Sequence, residues 1–471
     1  MFARLLDEAP DALFIETASQ SLTRADFERE VESAQRRLQA EQVEAGAIVA
    51  WLGHNSVQML ATLLACQRSG SVFLPLNWRL AAAELAHIVT HAGAGHLLGT
   101  PELAALAADV LERSPLQPGR ADGVQTGDLM LVYTSGTTGR PKGAMHTAAG
   151  MRANLAAAID AQGLDGRTRT LAVLPLFHVG GLCIQTLPTL AAGGVVRLQS
   201  RFDAAAWFDD VQGWRASTSL LVPALMRALI EHPHWPRADL TPLRFVTAGS
   251  QLVPASLIEA FQARGVPVAL VYGATETGPV SIVVRPEHAI GEGGGSAQAG
   301  HPALGVQVKL GNDGEIMLKA PNLMRGYHRE AMPSLENGWF RTGDLARQHD
   351  DGGLELVGRK NDLIISGGEN IHPAEIENLV MGWPGVAEAV VVGVPDARWG
   401  EVPVLVIEPR PGAQVDVDAL MASLGDRLAR FKRPRRVVLV AELPRTALGK
   451  VHRVAVLTEL CAPASIARRD A

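Results

Sequence analysis

Little in this chain points to the cell exterior, a membrane or a nucleic acid. It holds 3 cysteines in 471 residues. Cys66, Cys183 and Cys461 are far apart and odd in number, so no disulfide frame and no Cys-x-x-Cys metal pair is expected. Reduced thiols in a cytoplasmic compartment fit that pattern. No run of about 18 apolar residues occurs, which argues against an integral membrane segment. The opening Met-Phe-Ala-Arg-Leu-Leu-Asp-Glu-Ala-Pro lacks the long apolar core of a signal peptide. Nor is there a basic excess: the net charge is −6, which argues against a nucleic-acid partner. Internal repeats and a low-complexity tail are also absent. What is present is 47% hydrophobic sequence, enough for extensive cores and, at roughly 150 residues per unit, more than one domain.

The first hundred residues alternate helical and strand patterns. Ser21-Leu-Thr-Arg-Ala-Asp-Phe-Glu reads as a capped helix start, residues 47–52 and 72–76 as buried strands, and residues 57–68 as an amphipathic helix. Such alternation predicts βαβ units and a largely parallel sheet. Residues 114–127, rich in Pro and Gly, read as a connector between subdomains. A second α/β stretch runs to about residue 285, followed by a Gly-rich loop at 291–296 and a small β-rich subdomain. From about 362 the pattern restarts as strand, helix (373–381), strand (387–394), helix (417–431) and strand (436–440). The expected fold is thus α/β: two α/β subdomains and a β-rich subdomain in residues 1–360, then a smaller, mobile α+β domain in 361–471.

Residues 133–143 read Tyr-Thr-Ser-Gly-Thr-Thr-Gly-Arg-Pro-Lys-Gly. Glycines let a backbone approach a ligand, hydroxyls and N–H groups donate to phosphate oxygens, and a lysine adds counter-charge. Leu129-Met-Leu-Val reads as the end of a buried strand, where α/β sheets bind ligands. Thr134, Ser135, Gly136, Thr137, Thr138, Gly139 and Lys142 are therefore candidate phosphate-binding residues. It is not a Walker A loop, because counting from Gly136 puts Pro141 where the second Gly should stand. By composition alone a Gly/Ser/Thr run is more often a surface linker.

The eleven-residue string resembles the signature loop of the acyl-adenylate-forming enzymes: acyl- and aryl-CoA synthetases, peptide-synthetase adenylation domains and luciferases. Four further strings match in the same order. They are Tyr272-Gly-Ala-Thr-Glu-Thr, Arg341-Thr-Gly-Asp, the block from Gly358-Arg-Lys-Asn through Pro373-Ala-Glu-Ile-Glu, and Pro444-Arg-Thr-Ala-Leu-Gly-Lys. Together they cover nearly the whole chain.

The resemblance implies carboxylate activation by ATP and Mg²⁺, followed by transfer to the thiol of coenzyme A. Such chemistry needs an acidic residue for the metal and cations to stabilise charge at phosphorus. Glu276 is the candidate metal ligand and Thr275 a hydroxyl donor to the α-phosphate. Asp344 would accept the ribose hydroxyls, joined by Arg359. Gly249, Ser250, Gln251, Tyr272 and Gly273 would wall the adenine. Lys450 would swing into the site and bridge carboxylate and phosphate. Lys432 and Arg433, from a basic cluster at 432–436, would capture the nucleotide end of coenzyme A. His178, in a Phe-His pair, resembles the CoA-ligase residue that gates the carboxylate entrance; amino-acid-activating relatives tend to carry Phe-Asp. One departure is Asn361, at a hinge position where Asp or Lys is usual.

Segments 179–183, 222–226, 246–252 and 278–282 are expected to line the acid pocket. None is charged, so the expected substrate is an apolar monocarboxylate, with a fatty acid favoured over a benzoate- or cinnamate-type acid. Loading of a carrier protein instead of coenzyme A is the alternative. A nucleotide-binding protein that has lost catalysis is disfavoured by the presence of Glu276, Asp344, Arg359 and Lys450.

Overall fold

The computed structural model describes residues 8–135, 141–249, 252–289, 298–330, 335, 337–367, 369–396, 398–446 and 450–461. Among them no helix is long and apolar enough to cross a membrane. The fold is mixed α/β, with a large N-terminal region and a smaller C-terminal one.

Six strands form one sheet in the order Gly326–Tyr327, Pro141–Thr147, Asp128–Ser135, Val72–Leu76, Ile48–Leu52 and Ala94–Gly99. Asp128–Ser135 pairs with Val72–Leu76 in parallel, with Phe73 opposite Met130. Residues 114–127 therefore do not divide two subdomains. They cross back within one sheet, held by Gln117 N–H to Ala94 O at 3.0 Å and Ala121 N–H to Gly46 O at 3.0 Å.

A larger sheet follows a path of thirteen strands. Its centre is parallel: Val195–Leu198, Arg169–Ala172, Thr218–Leu221, Phe245–Gly249 and Val268–Tyr272. Leu13–Glu16 and Ser21–Thr23 close one end, so the chain's first strands join this sheet and not the nearer one. Beyond Val268–Tyr272 the path turns antiparallel through Ile282–Val284, Gln298–Pro302, Leu354–Arg359, Phe340–Gln348, Glu315–Lys319 and Gln307–Leu310. The expected β-rich region is thus an extension of the same sheet. The Gly-rich stretch at 291–296 lies outside the described residues.

Local chemistry sets the helix ends. Thr23 accepts the Asp26 N–H at 3.1 Å while Asp26 accepts from Thr23 N–H at 2.8 Å, a reciprocal cap on helix Arg24–Ala40. Helix Val57–Ser69 is capped by Ser56 and ends at Gly70, whose φ of +75° suits glycine. This helix is not amphipathic as expected. It is buried continuously from Met59 to Cys66, because the helix Arg24–Ala40 covers its outer side through Phe27, Val31 and Leu38.

The C-terminal region keeps the expected order with one addition, the central strand Gly400–Pro409, and its second helix stops at Arg427 and not at 431. Its five strands carry helices Pro373–Met381 and Val417–Arg427 over one face, packed on Val391, Leu405 and Ile407. Val390, Val392, Val404 and Val406 alternate onto the opposite face against Val440, Leu443 and Val456.

Candidate active site

The site gathers at the carboxyl ends of two central parallel strands, Phe245–Gly249 and Val268–Tyr272, where Gly249 stands opposite Val271. Side chains are excluded from the rim. A Cβ on Gly249 would lie 2.5 Å from Val271 O, and one on Gly273 would lie 2.3 Å from Pro279 O. Thr275 and Glu276 sit in a short 3₁₀ turn, pinned by Ala274 N–H to Thr277 Oγ1 at 2.8 Å and Met324 N–H to Glu276 O at 2.8 Å. Thr275 is buried and Glu276 half-buried.

Asp344 and Arg359 are directly opposite across the antiparallel pair Phe340–Gln348 and Leu354–Arg359. That register brings Arg359 Nε to 2.9 Å from Asp344 Oδ1. The Tyr272 hydroxyl donates to Asp344 Oδ2 at 2.8 Å, so both carboxylate oxygens are engaged. Burial, then the Asp344 charge, holds the Tyr272 phenol well above its ordinary range, and Asp344 raises the guanidinium of Arg359. Three residues named from separate motifs thus meet in one cluster.

Lys450 is brought to the same place. Its side chain keeps an exposed surface along the cleft, yet enough protein surrounds the ammonium for burial to be the largest cause of its lowered pKa. Arg359 lowers it further, while Asp344 and Glu276 oppose both. His178 feels Lys450 as well: burial, then that ammonium, pushes its pKa down to about 4. His178 Nδ1 accepts from Gly180 N–H at 3.0 Å, leaving the proton of the neutral ring on Nε2.

On the other side of Glu276 lies a chain of contacts that the motifs do not mark. Tyr327 donates its hydroxyl to Glu276 Oε1 at 2.8 Å, and the ammonium of Lys142 stands 5.0 Å from the Tyr327 ring centroid. Lys142 Nζ is paired with Glu330 Oε2 at 2.8 Å. Lys142 faces Thr134 across the hairpin that flanks the phosphate loop. Gly136, Thr137, Thr138, Gly139, Ser250 and Gln251 lie outside the described residues, and only the backbone of Ser135 is described. Glu315 is a second missed residue: it accepts Gly343 N–H at 3.0 Å and Arg341 Nε at 3.0 Å, fixing the turn that presents Asp344. Its signal was faint, a lone acid at the start of a strand.

The basic cluster is engaged locally. Lys432 Nζ lies 2.8 Å from both oxygens of Glu375. Arg433 Nε donates to Leu428 O at 3.1 Å and its Nη2 to Gly425 O at 2.5 Å, which satisfies carbonyls at the end of helix Val417–Arg427.

The expected pocket segments divide between faces. Val222, Leu225, Val280 and Ile282 share one apolar cluster with Ile184 and Tyr272. Met226, Val246 and Ala248 turn the other way onto Trp207, and Val179, Leu182 and Cys183 pack under Val57–Ser69. Alternation along the strand turns Thr247 away from Trp207, onto Gln162 and Gln185.

Mg²⁺ usually binds one or two carboxylates together with substrate phosphates. No group of three or more His, Cys, Asp or Glu that could hold a metal exists among the described residues. Glu276, with one oxygen held by Tyr327 and the other uncommitted by that bond, fits such a phosphate-shared ion.

The family model described as AMP-binding enzyme matches residues 2–328, and that of the AMP-binding enzyme C-terminal domain matches 375–450. The chain is 43% identical over 462 residues to an indoleacetate–CoA ligase of Aromatoleum aromaticum, covering 90% of each. It is 40% identical over 468 residues to a feruloyl-CoA synthase of an Amycolatopsis species, covering 94% of this chain and 95% of that one. The o-succinylbenzoate coenzyme A synthetase of Bacillus subtilis, solved with ATP and a magnesium ion, superposes with a TM-score of 0.85 at 28% identity, over 96% of this chain and 98% of that one. With the motif residues gathered at one strand-end cleft, these likenesses show that the chain belongs to the AMP-binding enzyme family, on its acid–CoA ligase branch.

Proposed function

We propose that this protein is an ATP-dependent acid–CoA ligase acting on an aromatic monocarboxylate. In the first half-reaction a carboxylate oxygen attacks the α-phosphorus of ATP, the bond to the β-phosphate oxygen breaks, and acyl-AMP and pyrophosphate form. In the second the thiol of coenzyme A, losing its proton, attacks the acyl carbon and AMP leaves.

The observation that carries this reading is the placement of Lys450 beside His178 and within the field of Arg359, Asp344 and Glu276. An ammonium there offsets charge that develops on the phosphorus oxygens only as the carboxylate attacks. Asp344, fixed by Tyr272 and Arg359, would accept ribose hydroxyls, and Thr275 would donate to the α-phosphate. Gly249 and Gly273, where a Cβ would meet a neighbouring backbone carbonyl, would pass the adenine as bare backbone. Glu276 would hold Mg²⁺, which supplies charge neutralisation at the phosphates. A neutral His178 would leave the carboxylate free to pass to phosphorus without being trapped as an ion pair. Residues 1–360 and 361–471 would act as two units that rotate at Asn361 between the half-reactions.

Apolar pocket-side residues disfavour dicarboxylates and amino acids, whose second charge would be buried unpaired. A fatty acid was the sequence expectation. The arylacetate and hydroxycinnamate names of the relatives favour an aryl acid instead. A panel of octanoate, laurate, benzoate, cinnamate, arylacetates, malonate and free amino acids, assayed for CoA-dependent pyrophosphate release, tests this. An arylacetate or cinnamate should lead; preferred turnover of malonate or an amino acid would sink it.

A further inference from the structure

Two ion pairs join the N-terminal and C-terminal regions along one helix, and one of them runs on to the loop that carries Lys450. The helix Pro223–Ile230 is seated in the N-terminal core by Met226 and Leu229, which are fully buried. Arg227 and Glu231 of the same stretch meet the C-terminal region. Arg227 Nη1 lies 3.7 Å from Glu388 Oε2, and Glu231 Oε1, at the end of the helix, lies 3.1 Å from Arg410 Nη1. Glu388 stands in strand Val386–Asp396, and Arg410 just beyond strand Gly400–Pro409.

Glu388 has a second cation. Arg445 Nη1 lies 3.7 Å from the same Oε2, while Arg445 Nη2 donates to Glu408 Oε2 at 3.2 Å. Glu408 Oε2 also accepts the Leu443 N–H at 2.9 Å, which fixes the chain just before Arg445. Arg445 in turn closes the Lys450 loop. It forms an antiparallel bridge with Val451, and Thr446 N–H donates to Lys450 O at 2.7 Å. One carboxylate oxygen therefore stands between an arginine of the N-terminal region and the arginine at the base of the Lys450 loop.

The two ties between the regions differ in weight. The side chains of Arg410 and Glu231 are 50% and 47% exposed, so solvent screens that pair and it contributes little. Arg227 and Glu388 are only 17% and 18% exposed. Burial raises the Glu388 carboxyl above its ordinary range, with Arg227 and Arg445 the largest opposing influences. Removing that carboxylate would leave two guanidinium groups facing each other across the contact. At 3.7 Å both contacts are ion pairs and not hydrogen bonds, a tie that a turning region can break without unmaking a bonded network.

Resting on the acid–CoA ligase reading above, we propose that Glu388 is a positioning residue for the adenylation step: shared between Arg227 and Arg445, it docks the Lys450 loop against the helix Pro223–Ile230. Arg227 is the half of this latch that the N-terminal region supplies. The contacts of Arg445 with Glu388 and Glu408 lie within the C-terminal region and travel with it, whereas the contact of Arg227 with Glu388 breaks when that region turns. The latch therefore favours acyl-AMP formation and is released before thioester formation.

Arg227→Gln and Glu388→Gln test this in the full chain, by single turnover of each half-reaction with the best acid of the panel. Each should slow acyl-AMP formation roughly tenfold, the loss of one partly buried charge pair, and leave thioester formation from supplied acyl-AMP within about twofold. The double variant should be no slower than the worse single one. A merely structural role would lower both half-reactions together. That result, unchanged acyl-AMP formation, or additive losses in the double variant would overturn the inference. Release of no pyrophosphate by the wild type with any acid would instead sink the ligase reading. Spin labels at two exposed positions, Glu259→Cys and Glu459→Cys, decide the inference independently of turnover. In the unliganded protein Arg227→Gln should lengthen or broaden the distance between them, and an unchanged distribution would refute the latch. Should Glu388→Gln fail to fold, Arg227→Gln alone decides.

Discussion

Lys360 and Asp362, one residue apart from each other's neighbour Asn361, are tied in opposite directions. Lys360 Nζ lies 2.7 Å from Asp313 Oδ2 in the N-terminal region, whereas Asp362 Oδ2 lies 3.3 Å from Arg453 Nε in the C-terminal one. Asn361 is the exposed residue between the two anchors, within a short 3₁₀ turn. A change of backbone angle there would turn the C-terminal region as a body. Asn361→Pro fixes φ and removes an N–H. Adenylation should persist within a few-fold, while thioester formation should fall by roughly tenfold or more. Thioester production equal to wild type would rule out rotation at this residue.

On the proposed mechanism the Lys450 ammonium would act only while phosphorus is under attack. Lys450→Ala should slow acyl-AMP formation by about 10²- to 10³-fold. Thioester formation from supplied acyl-AMP should stay within a few-fold of wild type. Equal losses in both half-reactions, measured by single-turnover quench, would contradict this division of labour.

The nucleotide cluster was legible as separate strings, but its wiring was not. Tyr272, Asp344 and Arg359 each stand in a recognisable motif, whereas the bond from Tyr272 to Asp344 depends on sheet order between residues 72 positions apart. Tyr327 and Glu315 carry no local pattern, because their roles arise from strands that meet only in the folded chain. The same limit explains the fold. Strand and helix identities followed local periodicity, yet residues 13–23 joined the distant sheet, and 114–127 turned out to be a crossover. The segments expected to line a pocket fall into three different apolar clusters, because the face that each residue takes is set by the layers packed on the sheet and not by its neighbours in sequence.

Removing one bond of the cluster should be felt at the nucleotide. Tyr272→Phe deletes the hydroxyl given to Asp344 and should cost about 0.5–1.5 kcal/mol of ATP binding. Asp344→Ala also strands Arg359 and should raise the ATP KM by more than roughly tenfold, the cost of losing charge-assisted bonds. A double-mutant cycle on KM should show coupling between the two positions. Strict additivity would mean that the Tyr272 bond does not orient Asp344.

Acid should weaken the fold through histidines that are held neutral. Burial pushes His146 down to about 4, and His328 likewise, with Arg329 adding to the effect. Both have folded pKa values below the ordinary 6.5, so the unfolded chain binds more protons between pH 6.5 and 4. Their stabilising contribution is complete above pH 6.5 and is lost as pH falls toward 4. The urea midpoint should therefore drop across that window, and His146→Gln should flatten the slope by about one proton. An equally steep slope in that variant would place the linkage elsewhere.

The most direct test of the account is a mass balance on the two half-reactions with purified enzyme, ATP, Mg²⁺ and the best acid of the panel. Without coenzyme A, enzyme-bound acyl-AMP and an equimolar burst of pyrophosphate should appear. Addition of coenzyme A should then convert that acyl-AMP to thioester with release of one AMP. Formation of ADP and phosphate, or of thioester without an acyl-AMP that chases into it, would contradict the mechanism.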